Sequence, residues 1–374
     1  MNVPKLRFKE FNDEWLTFPL SKIVKFSKGN LLSKADLDDE GLYPCILYGQ
    51  LYTKYSEVIR NISSKTNRND KNLILSKYGD ILIPSSGETP IDISTSSCIM
   101  VENVILGGDI NILSPVNCDG RFLSYLINNN KKKEIAKVAQ GHSVVHLYND
   151  NLKKINVNIP SLTEQTKIAN TLELLDKKIE LQTKKIEDLK LFKLCTAKII
   201  FKDNFLLCKK QLKELCNIVK GKQINSEFLS ETGEYYMLNG GINPSGFINE
   251  YNTNENTISI SEGGNSCGYV NFNKSKFWAG GHCYTITPID INNIYLYQIL
   301  KHNENKIMDL RVGSGLPNIQ KKDLENFSIN VHRSNMQNKI ATILSSIDKL
   351  IDLEEKKISN IEKLKKGLMQ NMFV

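Results

Sequence analysis

The sequence lacks any apolar run that approaches the roughly 18–20 residues a membrane-spanning helix needs. Its opening stretch, MNVPKLRFKEFNDEW, contains no apolar core of a secretory leader, so we expect a cytoplasmic protein. The chain also lacks any C-x-x-C pair among its eight cysteines. Without paired ligands at zinc spacing, we expect no metal site, and the thiols are expected to be reduced.

Charge of one sign is not strongly in excess. The chain has 49 basic and 41 acidic residues, which gives a net charge of +8 at pH 7. This moderate excess is compatible with binding a polyanion, but many proteins without such a partner carry as much. With 40% hydrophobic and 24% charged residues, the composition is that of a globular protein and excludes a largely disordered chain.

What the sequence does contain is an internal repeat. Residues 166–180 read TKIANTLELLDKKIE, and residues 338–352, 172 positions later, read NKIATILSSIDKLID. This distance is far longer than the period of a solenoid repeat. Near the start of each half the offset is larger, because LSKIVKFSKG at 20–29 aligns with LKELCNIVKG at 212–221. We therefore predict two similar halves, each with a front of variable length and a back of fixed length.

The backs of the two halves are predicted to be long helices. Apolar residues recur there at alternating spacings of four and three, which is the period of a coiled-coil seam. Both seams are interrupted at the same place, by Gln182 and by Glu354. A polar residue in the seam commonly fixes the register of the two helices. Alternatively, Gln182 and Glu354 could point outward where the apolar stripe shifts locally around each helix. The predicted helix-pairing seam consists of Ile168, Leu172, Leu175, Ile179, Ile186, Leu189, Ile340, Leu344, Ile347, Ile351, Ile358 and Ile361.

The fronts are predicted to be modules that mix strands and helices, so the fold class is α+β. Short segments such as NTISIS and CYTITP are rich in Ile, Tyr and Thr and are typical of strands. Residues 122–139 and 294–310 are predicted to be helical and sit at matching places in the two fronts. The predicted domains are 1–159 for the first module with its N-terminal arm, 160–203 for the central helix, 204–332 for the second module and 333–374 for the C-terminal helix.

Several stretches of the chain resemble the specificity subunits of type I restriction–modification systems. These stretches are PKLRFKEFNDEW at the start, GDILIPSSG at 79–87, QGHSVVHLYNDNLKKINVNIPSLTEQTKIA at 140–169 and VGSGLPNIQKKDLENFSINVHRSNMQNKIA at 312–341. The similarity runs over essentially the whole chain. The junction between module and helix, which occurs twice, is the part most specific to this family. The second copy departs from the first, since Met336 stands where the first has Glu164.

The resemblance implies a DNA-recognition subunit. Each front would be a target recognition domain that reads one half of a bipartite site in double-stranded DNA. The two helices would pair as an antiparallel coiled-coil rod, relate the modules by a pseudo-twofold axis, set the gap between half-sites and dock two methyltransferase subunits. Restriction subunits would join through the complex. S-adenosylmethionine, ATP and Mg²⁺ would belong to those partners, with no cofactor in this chain. A cyclic order of the repeat also leads us to expect that the termini meet beside the second module.

No catalytic motif contradicts this interpretation. The sequence has no Asn/Asp-Pro-Pro-aromatic motif of an amino-methyltransferase, no G-x-x-x-x-G-K-[ST] phosphate loop and no nuclease-like acidic cluster followed by E-x-K. We therefore expect a non-catalytic chain.

Candidate DNA contacts lie in loops that are dense in hydrogen-bonding side chains. Paired donors and acceptors read base edges, while Lys, Ser and backbone N–H groups position phosphates. Each candidate could instead cap a turn or complete a structural hydrogen bond. The candidate DNA-binding residues are Ser85, Ser86, Glu88, Thr89, His142, Ser143, His146, Glu262, Asn265, Ser266, His282, Ser314 and Asn318.

Two other functions are left open by the sequence. The chain could be the specificity partner of a fused restriction–methylation enzyme of type IIB kind, which neighbouring genes would distinguish. Alternatively, it could be a scaffold whose two modules bind protein or glycan across a coiled-coil spacer. Selection of a split DNA motif with a fixed gap would separate that scaffold from a DNA-recognition subunit.

Overall fold

The computed structural model describes residues 3–141, 143–202, 207–313 and 315–374. Its internal contacts divide into two compact units. The first comprises Met1–Gln182 together with Lys357–Val374, and the second comprises Thr183–Lys356. Over the described ranges, no helix combines the length and the apolar character that crossing a bilayer requires.

A main sheet and a side sheet form the body of the first module. The main sheet has the strand order Val24–Lys28, Ile110–Pro115, Ile81–Pro84, Ser97–Ile99 and Val58–Ile59. The side sheet has the order Ser64–Thr66, Tyr43–Ile46, Ile105–Leu106 and Ile74–Leu75. Short ladders join Leu16–Pro19 to Asn156–Ile159 and Ser86–Gly87 to Val145–His146. The module's helices are Leu20–Ile23, Lys34–Asp36, Gln50–Thr53, Pro90–Ile93, Gly120–Leu126, Ile127–Lys131, Lys132–Val138 and Asn149–Leu152.

The central strand Ile81–Pro84 shows why this module holds together. Successive side chains of a strand point to opposite faces of its sheet. Ile81 and Ile83 accordingly pack in one core with the helix Gly120–Leu126, while Leu82 packs in a second core with Ile46 of the side sheet. The strand is apolar at consecutive positions because both of its faces are covered.

The second module repeats this plan. Its main sheet has the order Cys216–Lys220, Cys283–Pro288, Thr257–Ser261 and Val270–Asn273, and its side sheet the order Gly246–Ile248, Tyr235–Leu238 and Trp278–Ala279. The strands Leu207–Gln211 and Ser328–His332 form a separate ladder. The module's helices are Leu212–Leu215, Ser226–Phe228, Asn293–His302, Glu304–Met308 and Lys321–Asn326. The predicted helices at 122–139 and 294–310 are therefore confirmed, each divided into shorter segments.

Two long helices follow the modules in sequence, and we call them arm 1 (Leu162–Lys202) and arm 2 (Ser334–Met372). In the second unit, Lys185 pairs with Glu354 at 2.8 Å and Lys193 pairs with Asp348 at 2.6 Å. The partner's number falls as the arm 1 number rises, so the arms run antiparallel in this unit. The predicted fold class, two mixed α/β modules with antiparallel long helices, is confirmed.

The first unit contains the counterpart of the same arm-to-arm ion pair. Lys365 of arm 2 lies 2.6 Å from the Asp176 carboxylate of arm 1. Asp176 and Asp348 are equivalent in the sequence repeat, as are Lys193 and Lys365. The repeat therefore forms one ion pair twice, with the donor and acceptor arms exchanged.

The predicted seam residues are all at least partly shielded from solvent. All twelve are buried or half-buried, from Leu172 and Leu344 at 0% exposure to the half-buried Ile179, Leu189, Ile358 and Ile361. Ile168 and Leu172 also belong to the core of the first module, so the start of arm 1 packs on the module as well. Of the polar interruptions, Glu354 is buried at 5% exposure and bound by Lys185, whereas Gln182 is half-buried.

A buried glutamine ties each arm to its own module. The Gln165 side chain donates to the carbonyl of Pro160 (2.9 Å) and accepts from the backbone N–H of Asp119 (3.0 Å). Gln337 donates to the carbonyl of His332 (2.9 Å) and accepts from the backbone N–H of Asn292 (3.3 Å). The second arm therefore keeps this attachment despite Met336.

The termini pack in the first unit, so the expectation that they meet beside the second module was wrong. The backbone N–H of Leu6 donates to the carbonyl of Asn371 at 2.9 Å, and Phe373 packs on Phe122 with ring centroids 5.4 Å apart. Arg7 binds both carboxylate oxygens of Glu164 at 2.8 Å. A cyclic repeat indicates that the two ends are neighbours, but it does not say which module they join.

Candidate nucleic-acid interface

In the first module, three loops converge at one end of the main sheet. Residues 85–88 continue the strand Ile81–Pro84, and the Ser85 N–H donates to the carbonyl of Asp109 at 2.7 Å. The Leu147 N–H in turn donates to the carbonyl of Ser85 at 2.9 Å. The buried Asn111 amide donates to the carbonyl of Leu147 at 2.9 Å and closes the set. We call residues 85–88, 107–111 and 145–147 the first loop platform.

The second module contains the same backbone bonds between the same three loops. The Glu262 N–H donates to the carbonyl of His282, and the Ile319 N–H donates to the carbonyl of Glu262, both at 2.9 Å. The Tyr284 hydroxyl lies 3.0 Å from the carbonyl of Ile319, in the place that Asn111 takes in the first module. We call residues 262–266, 280–284 and 318–319 the second loop platform.

The shared bonds define equivalent positions. Ser85 corresponds to Glu262, and Asp109 corresponds to His282. A further pair of bonds supports the equivalence of Asp109 and His282. The residue after Asp109, Ile110, accepts from the N–H of Gly29, and the residue after His282, Cys283, accepts from the N–H of Gly221, the repeat equivalent of Gly29. The two platforms therefore share a backbone but differ in the side chains that they carry.

Glu262 is the charged centre of the second platform. Its side chain is buried, and Lys220 donates to Oε1 while His282 Nδ1 lies 3.0 Å from Oε2. Tyr284 lies 3.3 Å from Oε1. Burial, and then the charge of Glu262, raise the pKa of the Tyr284 phenol, so Tyr284 stays a hydrogen-bond donor. Both oxygens of Glu262 are thus engaged within the protein.

The predicted DNA-binding residues differ widely in exposure. Glu88, Thr89, Ser143, Asn265 and His282 are exposed, and His146, Ser266 and Asn318 are half-buried. Ser85, Ser86 and Glu262 are buried at 3%, 4% and 8% exposure. His142 and Ser314 lie outside the described residues.

Several of these residues also have local structural partners. Thr89 caps the short helix Pro90–Ile93 by accepting from the Asp92 N–H at 3.2 Å. His146 stacks on Tyr148 with ring centroids 6.2 Å apart. The carbonyl and the N–H of Asn318 both bond to the backbone of Val312, and its side chain accepts from Gln320. The contact of these residues with DNA stays a prediction.

The sequence reasoning missed Asp109, Asn111, Lys220 and Tyr284. The sequence held a signal for Lys220 alone, because the alignment of LSKIVKFSKG with LKELCNIVKG places Lys220 opposite Lys28. Asp109 had no such signal, since its relation to Ser85 depends on two strands that pair across the sheet.

Acidic, histidine and cysteine side chains of the described residues do not form a group of three or more that could hold a metal ion. The exposed side chains of the platforms offer hydrogen bonding and charge. Lys220 supplies a donor and His282 a ring nitrogen beside the exposed edge of the second platform, and Asp109 supplies a carboxylate at that of the first.

Comparison with known proteins agrees with this architecture. A sequence profile described as "Type I restriction modification DNA specificity domain" matches residues 12–191 and 208–363. A Mycoplasma pneumoniae protein named as a type I specificity subunit is 36% identical over 182 residues, which cover 48% of this chain and 48% of that protein.

Two further comparisons extend over the full length. A Mycoplasma genitalium protein, also named as a type I specificity subunit, is 24% identical over an alignment of 389 positions that covers 99% of this chain and 96% of that protein. The crystal structure of a type I restriction–modification S subunit from M. genitalium has the same fold, with a TM-score of 0.75, 22% identity and coverage of 100% and 99% of the two chains. The profile covers both modules, so this chain belongs to the family of type I restriction–modification specificity subunits and serves DNA recognition rather than catalysis.

Proposed function

We propose that each module of this chain reads one half of a bipartite site in duplex DNA, and that the paired arms set the unread gap between the halves. The observation that supports this most is the loop platform, which occurs twice with one backbone and two sets of side chains. A shared backbone would place each platform in the same way against a groove. Different side chains would then select different bases.

The exposed residues of the platforms are the proposed DNA contacts. Glu88, Asn265 and His282 of the platforms can reach a ligand without rearrangement, because their side chains are exposed, and so can Ser143, two residues before the last segment of the first platform. Lys220 is half-exposed beside Glu262 and would meet a phosphate or a base acceptor. The buried Ser85, Ser86 and Glu262 would act by holding the platform in shape.

The arms are long enough to act as a spacer. Arm 1 has 41 residues and arm 2 has 39, so each measures about 60 Å at roughly 1.5 Å per residue. At roughly 3.4 Å per base pair, this corresponds to about 18 base pairs. Two half-sites of a few base pairs and a gap of several more fit within that length.

The proposal includes the partner subunits. Two methyltransferase subunits would dock on the arms, and restriction subunits would join through them in the cytoplasm. S-adenosylmethionine, ATP and Mg²⁺ would be held by those partners, because the chain serves recognition and not catalysis.

The experiment is a selection from random duplex DNA with the chain and its cognate methyltransferase, read by sequencing of protected or methylated fragments. We expect a split motif with one fixed gap. Replacement of residues 206–331 by the second module of another family member should then change only one half of that motif. A wild-type selection without any split motif, or a module exchange that changes both halves, would contradict the proposal. Methylation of the unchanged half-site is the control for assembly.

A further inference from the structure

The two platforms carry side chains of different chemistry at one exposed position. Asp109 and His282 occupy the same place, because each accepts a backbone bond through its carbonyl from the residue that directly follows an inner strand of its main sheet, Ser85 in the first module and Glu262 in the second. Both side chains are exposed, and that of His282 is 60% exposed. We infer that Asp109 and His282 are the paired specificity-determining residues of the two modules, an inference that rests on the proposed function.

The backbone at this position has a specific local constraint in each module. Asp109 has a φ of +59°, a left-handed conformation that non-glycine residues seldom adopt. Such strain persists only where the surrounding structure imposes it, and it is concentrated at functional sites. In the second module, the His282 N–H donates to the side chain of Asn239 at 3.1 Å. Each residue is therefore presented from a fixed point.

The neighbouring buried residue orients each presented side chain. In the second module, Glu262 contacts His282 Nδ1 at 3.0 Å and is itself held by Lys220 and Tyr284. A carboxylate at Nδ1 fixes the ring and leaves Nε2 facing outward. In the first module, the Ser85 hydroxyl lies 3.4 Å from Asp109 Oδ1. Glu262 and Ser85 are thus positioning residues, and Glu262 is not itself a base contact.

The two side chains would select different base edges. An ionised carboxylate only accepts hydrogen bonds, so Asp109 matches the amino group of cytosine or adenine in the major groove. His282 offers a single ring nitrogen, which is an acceptor in the neutral ring and a donor in the protonated ring. The acceptor-only Asp109 would therefore disfavour guanine and thymine as the contacted base, because neither presents an amino group in the major groove, whereas His282 would discriminate less.

The test is the same DNA selection, performed with Asp109→Asn, His282→Ala and Glu262→Gln. Asp109→Asn should lower the preference for the amino-bearing base at one position of the first half-site by about ten-fold and leave the second half-site unchanged. His282→Ala should change one position of the second half-site only. Glu262→Gln, which keeps the size of the side chain, should weaken the preference at that same position.

The unaltered half-site in each variant is the matched control for folding and assembly. A wild-type split motif that both Asp109→Asn and His282→Ala leave unchanged would overturn this inference while the proposed function stands. A uniform loss of affinity for every sequence would also overturn it, because that result indicates a structural role. Absence of a split motif in the wild type would overturn the proposed function first, and this inference with it.

Discussion

The two modules share a backbone plan, yet different side chains pack in their cores. In the first, Trp15 is buried at 2% exposure and meets Phe122 edge-on, and Phe373 from arm 2 packs on the same ring. In the second, Tyr295 takes the place of Phe122 and Phe201 that of Phe373, with the polar ring of His332 beside them. Leu207 is the repeat equivalent of Trp15, 192 positions later, and is only half-buried.

Backbone hydrogen bonds define the module, whereas the side chains around them differ between the two copies. The bonds from the Ser85 and Glu262 N–H groups, and from those of Leu147 and Ile319, recur at 2.7–2.9 Å, although Ser85 and Glu262 differ in size and charge and so do the acceptor residues Asp109 and His282. Buried backbone groups must be paired whatever the side chains are. A platform built in this way can change its ligand chemistry without changing its shape.

The largest expected difference between the modules concerns Trp15. Trp15→Ala should lower the free energy of unfolding of the first unit by roughly 3–5 kcal/mol, because it empties a fully packed core site. Leu207→Ala in the second unit should cost about 1 kcal/mol, since Leu207 is half-exposed. Urea denaturation with peptide-resolved hydrogen exchange measures each unit by itself. Equal losses in the two units would show that the two cores depend equally on this position.

The arm ion pairs should also differ. Lys365 is 15% exposed and lies 3.1 Å from Glu57 as well as 2.6 Å from Asp176, whereas the side chain of Lys193 is paired with Asp348. Lys365→Met would leave the half-buried carboxylates of Glu57 and Asp176 without this cation and should cost about 2 kcal/mol. Lys193→Met should cost about 1 kcal/mol. Adding Asp176→Asn to Lys365→Met should recover part of the loss, and no recovery would contradict the pairing argument.

The smallest expected effect is a pH dependence in the first unit. Burial alone would lower the pKa of Lys365, but Glu57 and Asp176 outweigh burial and raise it above its ordinary value of 10.5. A raised folded-state pKa gives stability that is present below the unfolded value and is lost as pH rises through the folded one. The wild type should therefore lose more thermal stability than Lys365→Met between about pH 9 and 12. Parallel curves for the two proteins would refute this assignment.

Much of the fold could be predicted from the sequence because its signals are local. The seam residues of each arm recur at spacings of three and four, and the internal repeat marks both junctions between module and arm. The position of the termini could not be predicted, since a cyclic repeat is symmetric between the modules. The Glu262–His282 contact joins loops 20 residues apart in sequence, so the sequence places both as candidates without showing that one orients the other. Asp109 is revealed only by the pairing of strands.

The glutamine at the start of each arm has a consequence for how such chains could diversify. Gln165 and Gln337 bond to carbonyl and N–H groups of the main chain, at Pro160 and Asp119 and at His332 and Asn292. Main-chain groups are the same in every residue except the missing N–H of proline. These glutamine bonds would therefore survive the exchange of one front for another that brings its main chain to the same place. Genetic recombination within the repeated junctions would keep this attachment in the hybrid, and the side chains that pack on the start of the arm, such as those around Ile168 and Leu172, would be the part that has to be matched.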